Sequence, residues 1–480
     1  MTGGLATGGA AGIASDGGIP RSLARLEMLC DRGSFEPILS AVASPHLGAL
    51  AQPGDGVVAG LGRIDGRPVA CYAQDPSFLG GSLGAMQADT IDRILQLAAR
   101  SRIPVVSFIE SGGARMQEGV AALGGYGRIF RRNVLLSDVV PQISLIGGLS
   151  AGGGCYSPAL TDFVVMTEDA AMFLTGPRVV REVTGEEIGT AELGGPRVHE
   201  RNGVCDLVTP SEDAAADSVR SLLGYLPPHR GGDLPRTIAT APEQPDVEQC
   251  VPRSPRRVYD MRAAVAAVVD SGSLFELGPR WARSILTAFA RIDGCPVGIV
   301  ASQPRYLGGV LDAQSSQKGA RFVETCDRFG LPLVVLVDTP GFMPGSQQEE
   351  AGVIRFGATL VRAFAAASVP RITVVLRKAY GGAFIAMNSK DLGADLVFAW
   401  PRAEIGVMSA HSAIGIIHRR ELASAVDPTV TREALAESYA REHLSAAAAA
   451  AGGFVDEVIE PGETRPRLMQ ALGAMEAHRG

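Results

Sequence analysis

The sequence predicts an α/β fold in which one βα unit is used twice. Three observations carry that prediction: an internal repeat at nearly constant spacing, apolar strands that do not alternate, and a glycine-rich turn after the same strand of each half. The repeat comes first, because missing one misreads the whole fold. Residues 64–69 (IDGRPV) return at 292–297 (IDGCPV), an offset of 228. Gly80-Gly81-Ser82-Leu83 matches Gly308-Gly309-Val310-Leu311, and 103–113 (IPVVSFIESGG) matches 331–341 (LPLVVLVDTPG), both at the same offset. Residues 140–146 (VPQISLI) match 369–375 (VPRITVV), and Gly152-Gly153 matches Gly381-Gly382, at 229.

Taken in order, residues 1–20 are Gly/Ala-rich and read as a disordered tail. The first half is expected over 21–226. Ile91, Leu95 and Ala98 recur at helical spacing and predict a helix over 86–100, ahead of an apolar strand at 103–109. Unbroken apolar strands suit a sheet covered on both faces. A second helix, a second apolar strand and a glycine-rich turn into another helix complete the βαβ pattern. Residues 227–256 hold seven prolines (Pro227, Pro228, Pro235, Pro242, Pro245, Pro252, Pro255) and read as a linker. The second half, 257–480, repeats the pattern. Its helix at 315–329 is marked by Phe322, Cys326 and Phe329, and its strand lies at 331–337.

Composition narrows the chemistry. The 480 residues suit two domains. A net charge of -7 argues against nucleic acid as partner. Lysine occurs only at Lys318, Lys378 and Lys390. None lies in Gly-Lys-Ser/Thr, which excludes a P-loop. No methionine precedes a lysine, so any biotin must be carried by another chain. The seven cysteines show no CxxC spacing, so no zinc ribbon or other metal site is expected. They read as reduced thiols of a cytoplasmic protein. There is no apolar run of 18 residues, and the start does not read as a signal peptide, so no membrane association is expected.

The sharpest local features are two turns, GGLSAGGGCYSP at 147–158 and LRKAYGGAFIAM at 376–387. The first N–H groups of a helix lack internal partners and sit at its positive end, so such a turn can hold an oxyanion. Gly148, Ser150 and Gly152 also fit the GxSxG nucleophile elbow. The repeat opposes that reading, because Ser150 aligns with Ala379 while the glycine pair recurs. What recurs is backbone rather than a hydroxyl. Replacing Gly153 or Gly382 with a β-branched residue is therefore expected to remove activity with little loss of folding. The loops ESGGARMQEG (110–119) and DTPGFMPGSQQEE (338–350) follow strand ends, where α/β proteins bind ligands. Arg115 is placed to meet a cofactor phosphate or to form an ion pair at a helix start.

Several of these segments, in order, resemble the β subunits of acyl-CoA carboxylases, of the acetyl-/propionyl-CoA carboxylase carboxyltransferase type. The carriers are GGSLG (80–84), SGGARMQEG (111–119), VPQIS (140–144), SPALTDFVVM (157–166) and TGPRVV (175–180). In the second half they are KGARFVETCD (318–327), PLVVLVDTPGFMPG (332–345), RKAYGGAF (377–384) and WPRAEIGVM (400–408). The first half also resembles crotonases at 152–155. The resemblance implies duplicated crotonase-like (ClpP/crotonase) ββα-type domains. It implies carboxyl transfer from carboxybiotin, delivered by a biotin carboxylase/biotin carboxyl carrier (α) subunit, to acetyl-CoA or propionyl-CoA. The thioester enolate would sit at Gly152 and Gly153, and the biotin ureido oxygen at Gly382 and Ala383. The cofactor-binding residues expected on this basis are Gly112, Gly113 and Arg115 in the first half, with Gly341, Phe342, Tyr380, Gly381 and Ile385 in the second. The family also implies a homo-hexamer with each site between two chains. Arg178, Asp206, Thr359 and His411 depart from its usual residues. A decarboxylase or transcarboxylase on malonyl-type thioesters, or a non-catalytic assembly subunit, are the alternatives. Ile385 stands where propionyl-type relatives commonly carry aspartate, which implies acceptance of acetyl-CoA as well.

Overall fold

Two eight-stranded sheets with the same strand order organise the computed structural model, which describes residues 20–244, 246–255 and 257–476. The expected disorder of residues 1–20 falls almost wholly outside that range. The first sheet comprises β1 (Glu36–Ile38), β2 (Val57–Ile64), β3 (Arg67–Gln74), β4 (Val105–Ser111), β5 (Gln142–Ala151), β6 (Phe163–Thr167), β7 (Ala171–Phe173) and β8 (Leu207–Thr209). The second comprises β9 (Phe275–Leu277), β10 (Ile285–Ile292), β11 (Cys295–Ser302), β12 (Leu333–Thr339), β13 (Arg371–Tyr380), β14 (Leu396–Ala399), β15 (Glu404–Gly406) and β16 (Glu457–Val458). In each, three antiparallel strands lead into a parallel run, β3-β4-β5-β6-β8 or β11-β12-β13-β14-β16, and a short strand pairs beside its centre. The α/β class and the duplication both follow directly.

The repeat extends to its hydrogen bonds. Each antiparallel hairpin turns on Asp-Gly with both residues at positive φ (Asp65 49°, Gly66 74°; Asp293 55°, Gly294 73°), the backbone a type I′ turn demands. Each turn gives both N–H groups to one carboxylate, Asp31 in the first half and Asp270 in the second. The predicted helices occupy Ala85–Ser101 and Ala313–Phe329. The strands predicted from 103 and 331 start two residues later, because Pro104 and Pro332 have no N–H to give the ladder. The segment read as a glycine-rich turn from 147 is strand as far as Ala151, since β7 pairs with its last residues. Residues 227–256 hold one turn of helix, Val247–Cys250, and no strand among the described residues.

The halves share one core. Phe289, fully buried on β10, lies against Phe163 of β6 (5.9 Å), Tyr225 (5.8 Å) and Phe322 (5.2 Å). Around this seam sits a charged ring. Arg328 donates to Asp162 at 2.6 Å, Arg321 donates to Asp206 at 3.1 Å and to Gly203 O at 2.9 Å, and Lys318 Nζ donates to the carbonyls of Gly278, Trp281 and Ile285. Burial pushes the Asp162 carboxyl up to about 6, although Arg328 and the Gln142 N–H pull the other way. The folded value lies above the ordinary 3.8, so the folded chain holds an extra proton between them. Asp162's contribution to stability is therefore complete below pH 3.8 and is lost as pH rises through 6. Relative to Asp162→Asn, the melting temperature of the wild type is expected to fall across that window; a constant difference from pH 4 to pH 7 would contradict this.

Candidate active site

At the carboxyl ends of β4 and β5 two loops meet. A Cβ built on Gly152 would lie 3.7 Å from Gly113 Cα, so the 112–114 loop rests against the turn that starts the helix Gly153–Ala159. In the second half, a Cβ on Gly341 would lie 4.0 Å from Tyr380 O, and the turn starts the helix Gly381–Ala386. Gly152 (φ 59°) and Gly381 (φ 60°) hold the same left-handed kink, which a side chain would strain.

The N–H groups decide what each turn can bind. Gly152 N–H is already donated to Phe173 O at 3.1 Å, which corrects its expected role as an oxyanion donor. Gly153 and Gly154, the next two residues, donate no hydrogen bond among the described residues. Gly382 and Ala383, their counterparts at the 229 offset, are likewise unengaged, so the two turns offer the same pair. Gly154 was legible in that offset; the pairing of Gly152 was not, because β7 is remote in sequence. Gly112 N–H goes to Gly80 O (2.9 Å) and Gly113 N–H to Ser111 Oγ (3.2 Å), so neither offers a donor either. Ala114 and Phe342 are the first residues of their loops whose N–H groups are free among the described residues, and no sequence signal points to Ala114.

Arg115 also differs from the phosphate-binding expectation. It is fully buried, donating Nη1 to Asp55 (2.7 Å) and Glu118 (2.8 Å) and Nη2 to the carbonyls of Asp55 and Ser82. Burial raises the Asp55 carboxyl despite Arg115; at Glu118 burial is outweighed by the Ala85 N–H, Arg115 and Ser44, which hold it low. Arg115 therefore ties the 112–119 loop to the start of the helix Ala85–Ser101.

Ser150 is not a nucleophile. Its buried Oγ donates to Gly154 O at 2.9 Å, and the elbow's glycine at 148 leaves room for the Glu110 carboxylate, which a Cβ would strike. Cys155 donates to Phe173 O (2.8 Å), and burial pushes both its thiol and the Tyr126 hydroxyl up to about 12. These groups line the first turn and stay protonated.

A cavity of about 550 Å³ opens over the second turn, walled by Phe342, Met343, Ile354, Val361, Gly382 and Ile385. Ile385 is 48% exposed at its rim rather than packed in the core. Tyr380 is not in this wall: its ring is buried with Ile414 and Leu444 and its hydroxyl bonds Glu404, so it braces the turn from behind. Apolar walls beside a pair of free N–H groups suit a bicyclic ring with one polar carbonyl, which is the shape of biotin.

A duplicated α/β scaffold that presents the same backbone donor pair twice, with no side-chain nucleophile at either turn among the described residues, defines an oxyanion-stabilising enzyme whose reactive groups are brought in by its ligands. The model of the carboxyl transferase domain matches residues 18–479. A propionyl-CoA carboxylase carboxyltransferase subunit of Haloferax mediterranei is 48% identical over 432 residues, covering 89% of this chain and 84% of that protein. The biotin-dependent acetyl-/propionyl-coenzyme A carboxylase beta5 subunit of Mycobacterium tuberculosis is 45% identical over 473 residues (94% and 86%). The crystal structure of the transcarboxylase 12S hexamer, with methylmalonyl-coenzyme A bound, superposes with a TM-score of 0.91 at 43% identity, covering 95% of this chain and 89% of that one. The chain belongs to the carboxyl transferase family. Among the described residues, no helix is long and apolar enough to cross a membrane.

Proposed function

We propose that this chain transfers a carboxyl group from carboxybiotin, borne by a separate biotin carboxylase/carboxyl carrier subunit, to the α-carbon of acetyl-CoA or propionyl-CoA. The observation that carries this reading is the recurrence of one donor pair in both halves, with a largely apolar cavity beside the second. Biotin supplies the nitrogen that bears the carboxyl group and then serves as base. The chain's part is electrostatic: Gly153 and Gly154 hold the thioester oxygen as negative charge gathers on it, and Gly382 and Ala383 hold the ureido oxygen. Preorganised donors of this kind are worth about 3 kcal/mol each in the transition state. Apolar side chains stand exposed near both turns, among them Met116 (90%), Val120 (81%), Ile354 (77%) and Val407 (75%). Such a surface calls for a partner, and supports a hexamer in which another copy closes each site.

The test is carboxyl exchange between methylmalonyl-CoA and free biotin by the purified protein; no exchange at saturating concentrations of both would sink the reading. Transcarboxylation or decarboxylation of a malonyl-type thioester is the second reading, the 12S relative being named a transcarboxylase. It is distinguished by turnover without an ATP-driven partner.

Ile385 is the proposed determinant of acyl length. An aspartate there would set a second carboxylate, besides Glu349, on a wall that is otherwise mostly apolar. Ile385→Asp is expected to change the ratio of kcat/KM for acetyl-CoA over propionyl-CoA by on the order of tenfold, within the range that one methylene can discriminate. An unchanged ratio in a folded, active variant removes Ile385 from that role.

A further inference from the structure

The strands that aim the two turns are interrupted at equivalent places, and a carboxylate lies within each interruption. The register of β4 on β5 shifts between Ile109 and Ser111, and that of β12 on β13 between Val337 and Thr339. A bulge of this kind redirects the chain that follows it. Here the 112–114 loop and the 152–154 turn follow in one half, and the 341–342 loop and the 381–383 turn in the other. Glu110 and Asp338 are the residues inside the two shifts.

Glu110 accepts from Arg25 Nη2 at 2.6 Å, and Arg25, itself buried, grips Glu212 through Nε at 2.9 Å. Asp338, fully buried, accepts from Arg377 Nε at 2.8 Å. The carboxylates are repeat mates, but the arginines are not. Arg25 stands on the helix Arg21–Leu29, which precedes the first sheet. Arg377 stands on β13 itself, where the first half has Gly148. Its Nη1 reaches Ser254 O (2.7 Å) and Arg257 O (2.9 Å), in the segment that precedes the second sheet. The same bridge has thus been assembled from two unrelated arginines, each linked to the segment leading into its own sheet. Duplication alone does not account for that.

We propose that Glu110–Arg25 and Asp338–Arg377 are positioning pairs, each fixing the aim of one turn and therefore the binding of one ligand. The first governs the CoA thioester and the second governs biotin; the ligand assignment rests on the function proposed above, while the geometry does not. Glu110→Gln, Asp338→Asn and the pair Arg377→Lys and Arg377→Met are compared as full chains in their native assembly, with free biotin and methylmalonyl-CoA as probes. Misaimed donors cost on the order of tenfold to a hundredfold in rate. Asp338→Asn is expected to lower kcat by that much and raise KM for biotin, with KM for methylmalonyl-CoA unmoved. Glu110→Gln is expected to lower kcat likewise but to raise KM for methylmalonyl-CoA and leave KM for biotin unmoved, and Arg377→Lys to retain part of what Arg377→Met loses. Hydrogen exchange on peptides spanning 112–116, 151–156, 341–345 and 380–386 provides a readout independent of activity, and each variant should speed exchange in the loops of its own half only. If the wild type moves no carboxyl group between the probes, the ligand assignment fails and exchange alone decides the positioning role. Should Asp338→Asn not fold, Arg377→Lys carries both readouts. Both KM values shifting together, or loop exchange unchanged in variants of wild-type melting temperature, overturns the proposal.

Discussion

Gly382→Val should lose two to three orders of magnitude in kcat while the protein keeps its melting temperature and assembly. A Cβ at this position would lie 3.7 Å from the Phe342 ring, an ordinary contact, so the fold has room for it. The γ-carbons of valine would instead crowd the N–H groups of Gly382 and Ala383, and losing one such donor typically costs about a hundredfold to a thousandfold. Gly382→Ala, which adds only the tolerated carbon, should retain a measurable part of the activity. Gly153 behaves differently. Its Cβ would fall 2.7 Å from the Tyr126 ring, so any substitution must also displace a buried aromatic side chain. The expectation that both glycines could be replaced at little cost in folding therefore holds for the second turn and fails for the first. Ser150→Ala, the control, removes one hydrogen bond to Gly154 O, worth about 1 kcal/mol, and leaves kcat nearly intact. Full turnover in Gly382→Val, or none in Ser150→Ala, would return the chemistry to a hydroxyl nucleophile.

Arg115→Met is expected to cost about 3–5 kcal/mol of stability, the penalty for stranding buried charge. Asp55 and Glu118 have no side-chain exposure, and Arg115 joins them. Methionine fills the space beside the Phe78 ring but leaves both buried carboxylates without a counter-charge, held only by the Gln87 and Ala85 N–H groups and the Ser44 hydroxyl. Lysine does not rescue it, because one ammonium cannot serve acceptors set out for a planar fork. Chemical denaturation reads the loss. An unchanged stability with a raised KM for the CoA thioester would restore the phosphate contact instead.

How much of this was written in the sequence differs by feature. The duplicated βα scaffold was legible because the repeat and the unbroken apolar strands report burial on both faces, and Asp65-Gly66 and Asp293-Gly294 report hairpins directly. The turns were legible as glycine pairs. Which N–H groups are free was not, since the answer for Gly152 depends on Phe173 and that for Gly112 on Gly80, contacts set by tertiary pairing. Arg115 illustrates the same limit. An arginine beside a glycine-rich loop fits a phosphate and an ion pair equally well until Asp55, sixty residues earlier, is seen to face it. Tyr380 adjoins the turn in sequence, yet its ring points behind it, because β15 brings Glu404 to that side.

The aromatic seam at Phe289 bears on how a doubled chain can change over time. After duplication, two copies are free to diverge wherever each is self-sufficient, and the strand ends and the loops after them show that freedom: Arg115 has its counterpart in Met343, and Gly148 in Arg377. Phe289, Phe163, Tyr225 and Phe322 have no such liberty, since each is packed against the other copy or against a residue that is. A change at the seam alters the footing of both catalytic ends at once. Divergence is thereby channelled toward the strand ends, where one copy could be specialised for a thioester and the other for a cofactor ring without either losing its support.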